Sequence, residues 1–210
     1  MNVLVVATKN KGKISEIKKV LSDMPFDVVS MGDIGIEIDV VEDGTTFEEN
    51  SLKKAIEICK ASNTIVLADD SGIEVDYLDG APGIYSARFG GPEATDSDRS
   101  EKLLGMMIDV PLEKRTARYV CAIAVAFPDG KSFVVRDTCE GFIGFECKGS
   151  NGFGYDPLFY VSEYDKTMAE IDIDIKNKIS HRAKALNKMA DKIKDYLWWM
   201  GIMPTRENVQ

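Results

Sequence analysis

The chain has 210 residues, with 35 acidic against 26 basic side chains and a single histidine, giving a formal net charge of −9. A dedicated nucleic-acid binder needs clustered positive charge to displace counterions from phosphates, so this balance argues against a nucleic-acid partner. Hydrophobic residues at 44% and charged residues at 29% exclude a disordered or collagen-like chain. At this length the chain can bury a sizeable core in one domain or in two tightly joined lobes. The longest early apolar run, Val3 to Ala7, is too short for a membrane span or a signal-peptide core, which predicts a cytoplasmic protein with no membrane partner. Cys59, Cys121, Cys139 and Cys147 form no C-x-x-C pair and read as free, mostly buried thiols rather than disulfides or zinc ligands.

Strand-like apolar runs alternate with stretches of helical period in the first half, the pattern of an α/β protein. Asn2 to Ala7 predicts a buried strand, followed by a polar turn and a helix from about Lys13 with Ile14, Ile17, Val20 and Leu21 on one face. Phe26 to Ser30 predicts the next strand. A second helix starts near Thr46, where Glu49 completes a capping box, and Leu52, Ala55, Ile56 and Cys59 form its buried stripe. Thr64 to Ala68 predicts a third strand that ends in two aspartates. The Gly-, Pro-, Asp- and Ser-rich stretch 82–98 predicts a long loop, and Ser100 to Ile108 a helix. Tyr119 to Phe127, a Pro128-Asp129-Gly130 turn and Ser132 to Cys139 predict a long hairpin, part of a second region that could form its own lobe. A short strand near Leu158 to Val161 precedes a final helix from His181, with Ser180 as its N-cap.

Several of these segments carry chemistry. The turn from Ala7 to Lys13 follows a strand and opens a helix, so free amides and the positive helix end favour an anion there, with Lys9, Lys11 and Lys13 adding charge. It matches neither the Walker A nor the dinucleotide spacing, and a solvated lysine-rich turn explains it equally well. The third strand delivers Asp69 and Asp70 to its C-terminal end, where open α/β sheets bind ligands. Adjacent side chains on a strand face opposite ways, so one of the pair faces a cleft while the other caps or braces the turn. A hard cation such as Mg2+ takes one or two carboxylates plus water and phosphate oxygens, so Asp70 with one distant acid suffices. Glu42 is a candidate for that acid, with Asp43 an equal on composition alone.

On the second helix Phe47, Asn50 and Lys54 share a face away from the apolar stripe, which suits either a cleft wall or open solvent. Around Phe153, glycines on both sides let the backbone approach a ligand while the ring offers a stacking face for a base; ordinary turn chemistry with a buried ring is the alternative. His181, beside Ser180, Arg182 and Lys176 at a helix start, offers donors for an anion or carbonyl, although a lone histidine is usually structural.

Taken together, the strings Ala7–Lys13, Thr46–Asn50, Ala68–Gly72, Gly80–Arg88, Gly152–Pro157 and Ile179–Arg182 occur in one order along nearly the whole chain. In that combination they resemble the inosine triphosphate pyrophosphatase family. The resemblance implies a single α/β domain over residues 1–200, with a long twisted mixed sheet, flanking helices and two lobes around a cleft, and a tail at 201–210. It implies Mg2+-dependent attack of water on the α-phosphorus of deaminated purine nucleoside triphosphates (ITP, dITP and XTP), cleansing the nucleotide pool, usually by a homodimer. Carried over by motif, Thr8, Asn10, Lys13, Lys54 and Lys176 hold phosphates. Glu42 and Asp70 hold the metal, and Asp70 also orients or deprotonates the water, with Lys54 beside it in the catalytic set. Ser71, Phe153, Gly154, Tyr155, Asp156, His181 and Arg182 form the nucleoside end. A related family acting on modified pyrimidine or methylated nucleotides lacks the strings at 153–156 and 180–182, and a sensor without turnover would not need acids at 42 and 70.

Overall fold

The computed structural model describes residues 2–202. The apolar runs of β1 (Asn2–Val6), β2 (Phe26–Ser30) and β3 (Ile65–Val75) pair in parallel, with β1 in the middle and Val6 opposite Leu67. Parallel neighbours need crossovers. They are supplied by α1 (Lys11–Val20) and α2 (Phe47–Ser62). From β3 onward the pairing becomes antiparallel through β4 (Thr116–Ala126), β5 (Ser132–Ile143), β6 (Phe159–Val161) and β7 (Lys166–Thr167). The result is one mixed sheet in the order β2-β1-β3-β4-β5-β6-β7, the expected α/β class. The second half of the chain therefore extends the first sheet instead of building its own.

Side-chain alternation divides the core between the two faces. Leu4, Val6 and Leu67 pack with Ile17 of α1 and with Leu186, Met189 and Ile193 of α5 (His181–Trp199). Val5, Val66 and Ala68 pack on the other face with Ala55, Ile58 and Cys59 of α2. Farther along the sheet Ile73, Tyr119 and Phe159 meet Leu103 and Met107 at α3 (Asp96–Met106). Burying one such aliphatic side chain contributes roughly 1.5–3 kcal/mol, so each face is held by many modest terms.

Several expectations need correcting. β3 does not end at Ala68: it runs on to Val75, with Asp69 opposite Ile123 and Asp70 opposite Ala122. Asp, Ser and Gly disfavour strands, but β4 supplies a continuous ladder and both carboxylates find partners. In α2 the buried face includes Phe47, Asn50 and Ile58 beside Ala55 and Cys59, while Leu52 and Ile56 are only partly covered, so of the two readings of the Phe47, Asn50 and Lys54 face the solvated one is excluded. Its capping box is half made: Thr46 Oγ1 accepts the Glu49 amide, but Glu49 reaches the Thr45 amide and hydroxyl instead of Thr46. The loop over 82–98 contains a 3-10 turn at Gly83–Arg88 and the start of α3, which is capped by a full Thr95–Asp98 box. α1 starts at Lys11 behind an Asn10 cap, and α4 (Ile173–Ile179) was not anticipated. Ser180 does cap α5. Cys59, Cys121 and Cys139 are free and buried and Cys147 is free and exposed, as expected. No described helix is long and apolar enough to cross a membrane. Of the predicted tail, Gly201 and Ile202 follow α5, and 203–210 lie outside the described residues.

Candidate active site

The alternation that sorts the core also sorts the two aspartates. Leu67 faces α1 and α5, so Asp69 does too; Ala68 faces α2, so Asp70 does too. Asp69 is almost wholly buried, with Lys13 Nζ 2.9 Å and Arg182 Nε 3.4 Å from Oδ2, while Oδ1 has no hydrogen-bond partner. Burial alone would raise its pKa, but the charges of Lys13, Arg182 and Lys54 outweigh it and hold the carboxyl far below the usual range. Asp70 accepts from Asn50 Nδ2 at 3.1 Å through Oδ2 and from the Ser71 amide at 2.9 Å through Oδ1. Burial, then the negative charge of Glu42, push its pKa up to about 6. Two neighbours in sequence thus acquire opposite proton affinities.

Lys54 bridges the two sides. Its ammonium donates to the Asp69 carbonyl at 3.1 Å and pairs with Glu42. Burial works against its charge, yet Asp69, Glu42 and Asp70 together raise its pKa. Asp43, the alternative to Glu42, turns away to pair with exposed Lys53 at 2.6 Å. Thr8, Glu42 and Lys54 line a hollow of about 180 Å3. Glu42, in the wall of this hollow, and Asp70 repel one another, and a hard cation with its own waters is the group that relieves such a pair. No cluster of three or more acidic, histidine or cysteine side chains occurs among the described residues, so a cation here would depend on water and phosphate oxygens for its remaining ligands.

On the α1 and α5 side lies a second cavity, of about 140 Å3, which Asn10, Lys13, Ser71, Phe153, His181 and Arg182 help to line. Gly12 makes room for the Phe153 ring, since a Cβ there would sit 3.2 Å from it. Lys176 Nζ lies 4.9 Å and Arg182 Cζ 5.5 Å from the ring centroid. Asp156 accepts from Lys176 at 2.6 Å, from the Phe153 amide at 2.9 Å and from the Tyr119 hydroxyl at 3.2 Å. It is therefore an anchor for the glycine-flanked loop. Arg182 donates to Glu16 at 2.5 Å, to Ser71 Oγ at 3.1 Å and to Asp69, which leaves two of its five N–H donors. His181 stacks on Tyr119 with centroids 4.7 Å apart, and its Nδ1 is buried without a partner. Burial, then Arg182, Lys176 and Lys13, push its pKa well below the ordinary histidine value, so at neutral pH the ring is uncharged with one N–H, not two.

Except for Asp70, which lines neither, the expected residues gather in two hollows linked through Asp69, which touches Lys13 with its side chain and Lys54 with its carbonyl. In the lysine-rich turn, the Asn10 and Lys13 amides are taken by Thr8 and Asn10 side chains, and exposed Lys9 lies 3.9 Å from Asp39, so the cation that enters the cavity is Lys13.

A family model described as the Ham1 family matches residues 4–192. The chain belongs to the Ham1 family. A Bacillus cereus relative named dITP/XTP pyrophosphatase is 48% identical over 203 residues, covering 96% of this chain and 98% of its own. The Staphylococcus aureus Ham1 protein structure superposes with a TM-score of 0.85 at 40% identity, covering 93% of this chain and all of that one. A Coxiella burnetii HAM1 protein gives 0.86 at 35% identity with the same coverage. Membership bears out the resemblance carried by the six strings.

Four residues of this Ham1 chain contribute to the site without having been singled out. Glu16 braces Arg182 and lies 3.9 Å from Lys176; its signal was its place one helical turn after Lys13. Ser86 receives the Tyr155 hydroxyl on its carbonyl at 2.9 Å, and its own Oγ accepts the Ile73 amide at 2.9 Å. Asp96 and Arg99 line the second cavity from α3, Asp96 inside the 82–98 stretch whose composition reads as loop and Arg99 just past it.

Proposed function

We propose that this chain hydrolyses deaminated purine nucleoside triphosphates (ITP, dITP and XTP) to the monophosphate and pyrophosphate, with Mg2+ as cofactor. The observation that carries this reading is the Asp69–Asp70 pair, whose side chains face opposite sides of one strand, Asp69 toward Lys13 and Asp70 toward Asn50. Relatives of about 48% identity named dITP/XTP pyrophosphatase support the substrate class. Lys13 and Lys54 exchange their resting carboxylate partners for phosphate oxygens, with Thr8, Asn10 and Lys176 completing the phosphate set. Glu42 and Asp70 hold the Mg2+ ion. When bound, it neutralises phosphate charge and acidifies water. Asp70 orients the attacking water and takes its proton, as the carboxylate beside the ion. Phe153 stacks on the base, and Ser71, Gly154, Tyr155, Asp156, His181 and Arg182 enclose the nucleoside.

The same reading makes the protein a cytoplasmic homodimer without nucleic-acid or membrane partners, consistent with its net charge of −9. The test is pyrophosphate release from ITP, dITP, XTP and the four common triphosphates, with and without Mg2+. Release confined to the deaminated purines and dependent on Mg2+ is the expected result. Tight binding of ITP without release would mark a sensor instead.

A further inference from the structure

The loop carrying Phe153 crosses the base-side cavity from one wall to the other. Toward α1 and α5, the Phe153 ring rests over Gly12 and near the Lys176 and Arg182 cations. Toward α3, the Gly154 amide donates to Asp96 Oδ2 at 2.6 Å, a contact 58 residues away in sequence. Two other bonds hold this strap: the Phe153 amide to Asp156, and the Tyr155 hydroxyl to the Ser86 carbonyl. Asp156 and Ser86 are buried; the Asp96 side chain is 47% exposed. Of the three anchors, Asp96 is the one at the cavity rim. Its other oxygen pairs with Arg99, which also donates to the Ala94 carbonyl at 2.6 Å and the Ala87 carbonyl at 3.1 Å. Asp96 thus ties the strap to a braced wall.

We propose that Asp96 is a specificity-determining residue of this site, acting by holding the Gly154 amide and so fixing the wall that a bound base must match. This deepens the proposed function and rests on it. A pocket rejects a wrong base because the mismatched amino or keto group is left unpaired in a place that neither shifts nor admits water. If the strap can retreat, water reaches the mismatched edge and the penalty falls. The cavity of about 140 Å3 is smaller than the roughly 300–1,000 Å3 of typical ligand pockets, so the fit around a base is set by how far this strap yields. Asp96 acts on the base through Gly154, as a positioning residue, and touches no reacting atom.

Its removal should spare the fold. Asp96 is the first residue of α3, and the helix keeps its Thr95–Asp98 capping box without it. The experiment compares kcat/KM for ITP, GTP and ATP in the wild type, Asp96→Ala and Asp96→Asn, with melting temperatures as a control. Asp96→Ala should narrow the ITP to GTP and ITP to ATP ratios by ~10-fold or more, the lower end of what one misfitting group is worth in a close-packed pocket. Its melting temperature should fall by no more than a few degrees, about what one or two lost polar contacts at a helix start are worth. Asp96→Asn, which keeps an oxygen for the Gly154 amide, should preserve most of the discrimination; a merely structural role would not separate the two variants in this way. Asp96→Ser, too short to reach Gly154 yet compatible with a first helical turn, repeats the test if the alanine variant is unstable. Ratios unchanged in Asp96→Ala, or relaxed equally in Asp96→Asn, overturn the inference alone. A wild type that releases pyrophosphate from none of the three overturns the proposed function and the inference with it.

Discussion

Asp70→Asn separates the role of a carboxylate from the role of its shape. In the folded chain the Asp70 pKa is raised from 3.8 to about 6, chiefly by burial and then by Glu42. That difference of about two units, at 1.36 kcal/mol each, makes the ionised carboxylate a destabilising feature of about 3 kcal/mol. Because the folded state binds the proton more tightly, wild-type stability falls as pH rises from about 4 through 6, and the full cost is present at pH 8. Asparagine removes the charge but offers only one oxygen to the two donors, Asn50 Nδ2 and the Ser71 amide, that now bind separate oxygens. One lost hydrogen bond returns about 1 kcal/mol. The variant should therefore be about 2 kcal/mol more stable than wild type at pH 8 in EDTA, or about 4–8 °C in melting temperature for a chain of this size. At pH 4 the advantage should vanish. Saturating Mg2+ should stabilise wild type and leave the variant unchanged, while turnover of ITP in the variant falls by a factor on the order of a hundred or more. Circular dichroism melts at pH 4, 6 and 8, with and without EDTA, read these effects beside initial rates of pyrophosphate release. Near-normal turnover in Asp70→Asn, or a variant less stable than wild type at pH 8 in EDTA, would refute the reasoning.

The remaining predictions concern the cations and the ring. Lys13→Ala and Lys54→Ala should each raise KM for ITP and lower kcat, because charge on the departing pyrophosphate grows in the transition state; unchanged steady-state kinetics in both would remove them from the phosphate set. Arg182→Ala should cost about 3–5 kcal/mol in denaturant melts, since it strips a buried partner from Asp69 and Glu16. It should also narrow the ITP to ATP ratio of kcat/KM, because the two N–H donors left on Arg182 favour a 6-keto over a 6-amino group; an unchanged ratio would show that Arg182 does not read the base. Phe153→Ala should weaken ITP, XTP and ATP alike, by ~1–3 kcal/mol of stacking, and a loss confined to one base would contradict a stacking role.

How far the sequence could be read depended on whether a feature was local. The Thr46 and Ser180 caps and the pairing of β4 with β5 follow from nearby side chains, and all are found in place. The continuation of β3 through Asp69 and Asp70 was not legible, because what makes two buried carboxylates tolerable in a strand comes from α1, α2 and α5, as far as 113 residues away. The face of α2 that carries Asn50 stayed open between a cleft wall and solvent for the same reason: nothing near it in sequence shows that Asp70 lies opposite it. Asp96 was hidden inside the 82–98 stretch, rich in Gly, Asp and Ser, which composition assigns to a loop, and Arg99 lay between that stretch and the helix read from Ser100.

The alternation of a strand nevertheless carried the central point. Adjacent side chains must face opposite ways, so two successive aspartates on one buried strand cannot share an environment. On one face Lys13 and Arg182 keep Asp69 ionised, and it can only brace. On the other face a neutral amide and a second carboxylate leave Asp70 with a proton affinity near physiological pH. Acids driven apart in this way take separate chemical roles. Exchanging the two charges, with asparagine at 69 and then at 70, should therefore give dissimilar defects. Asp69→Asn leaves Lys13 and Arg182 without their shared counter-charge and should lower stability at every pH above the acid range, because the depressed folded pKa of Asp69 contributes stability that is lost only in strong acid. Asp70→Asn should raise stability above pH 6 and lower turnover by a factor on the order of a hundred or more. Melting curves for the two variants across pH 3–8 must therefore move in opposite directions from wild type near neutrality, and parallel shifts would mean that the two carboxylates do not divide the work by face.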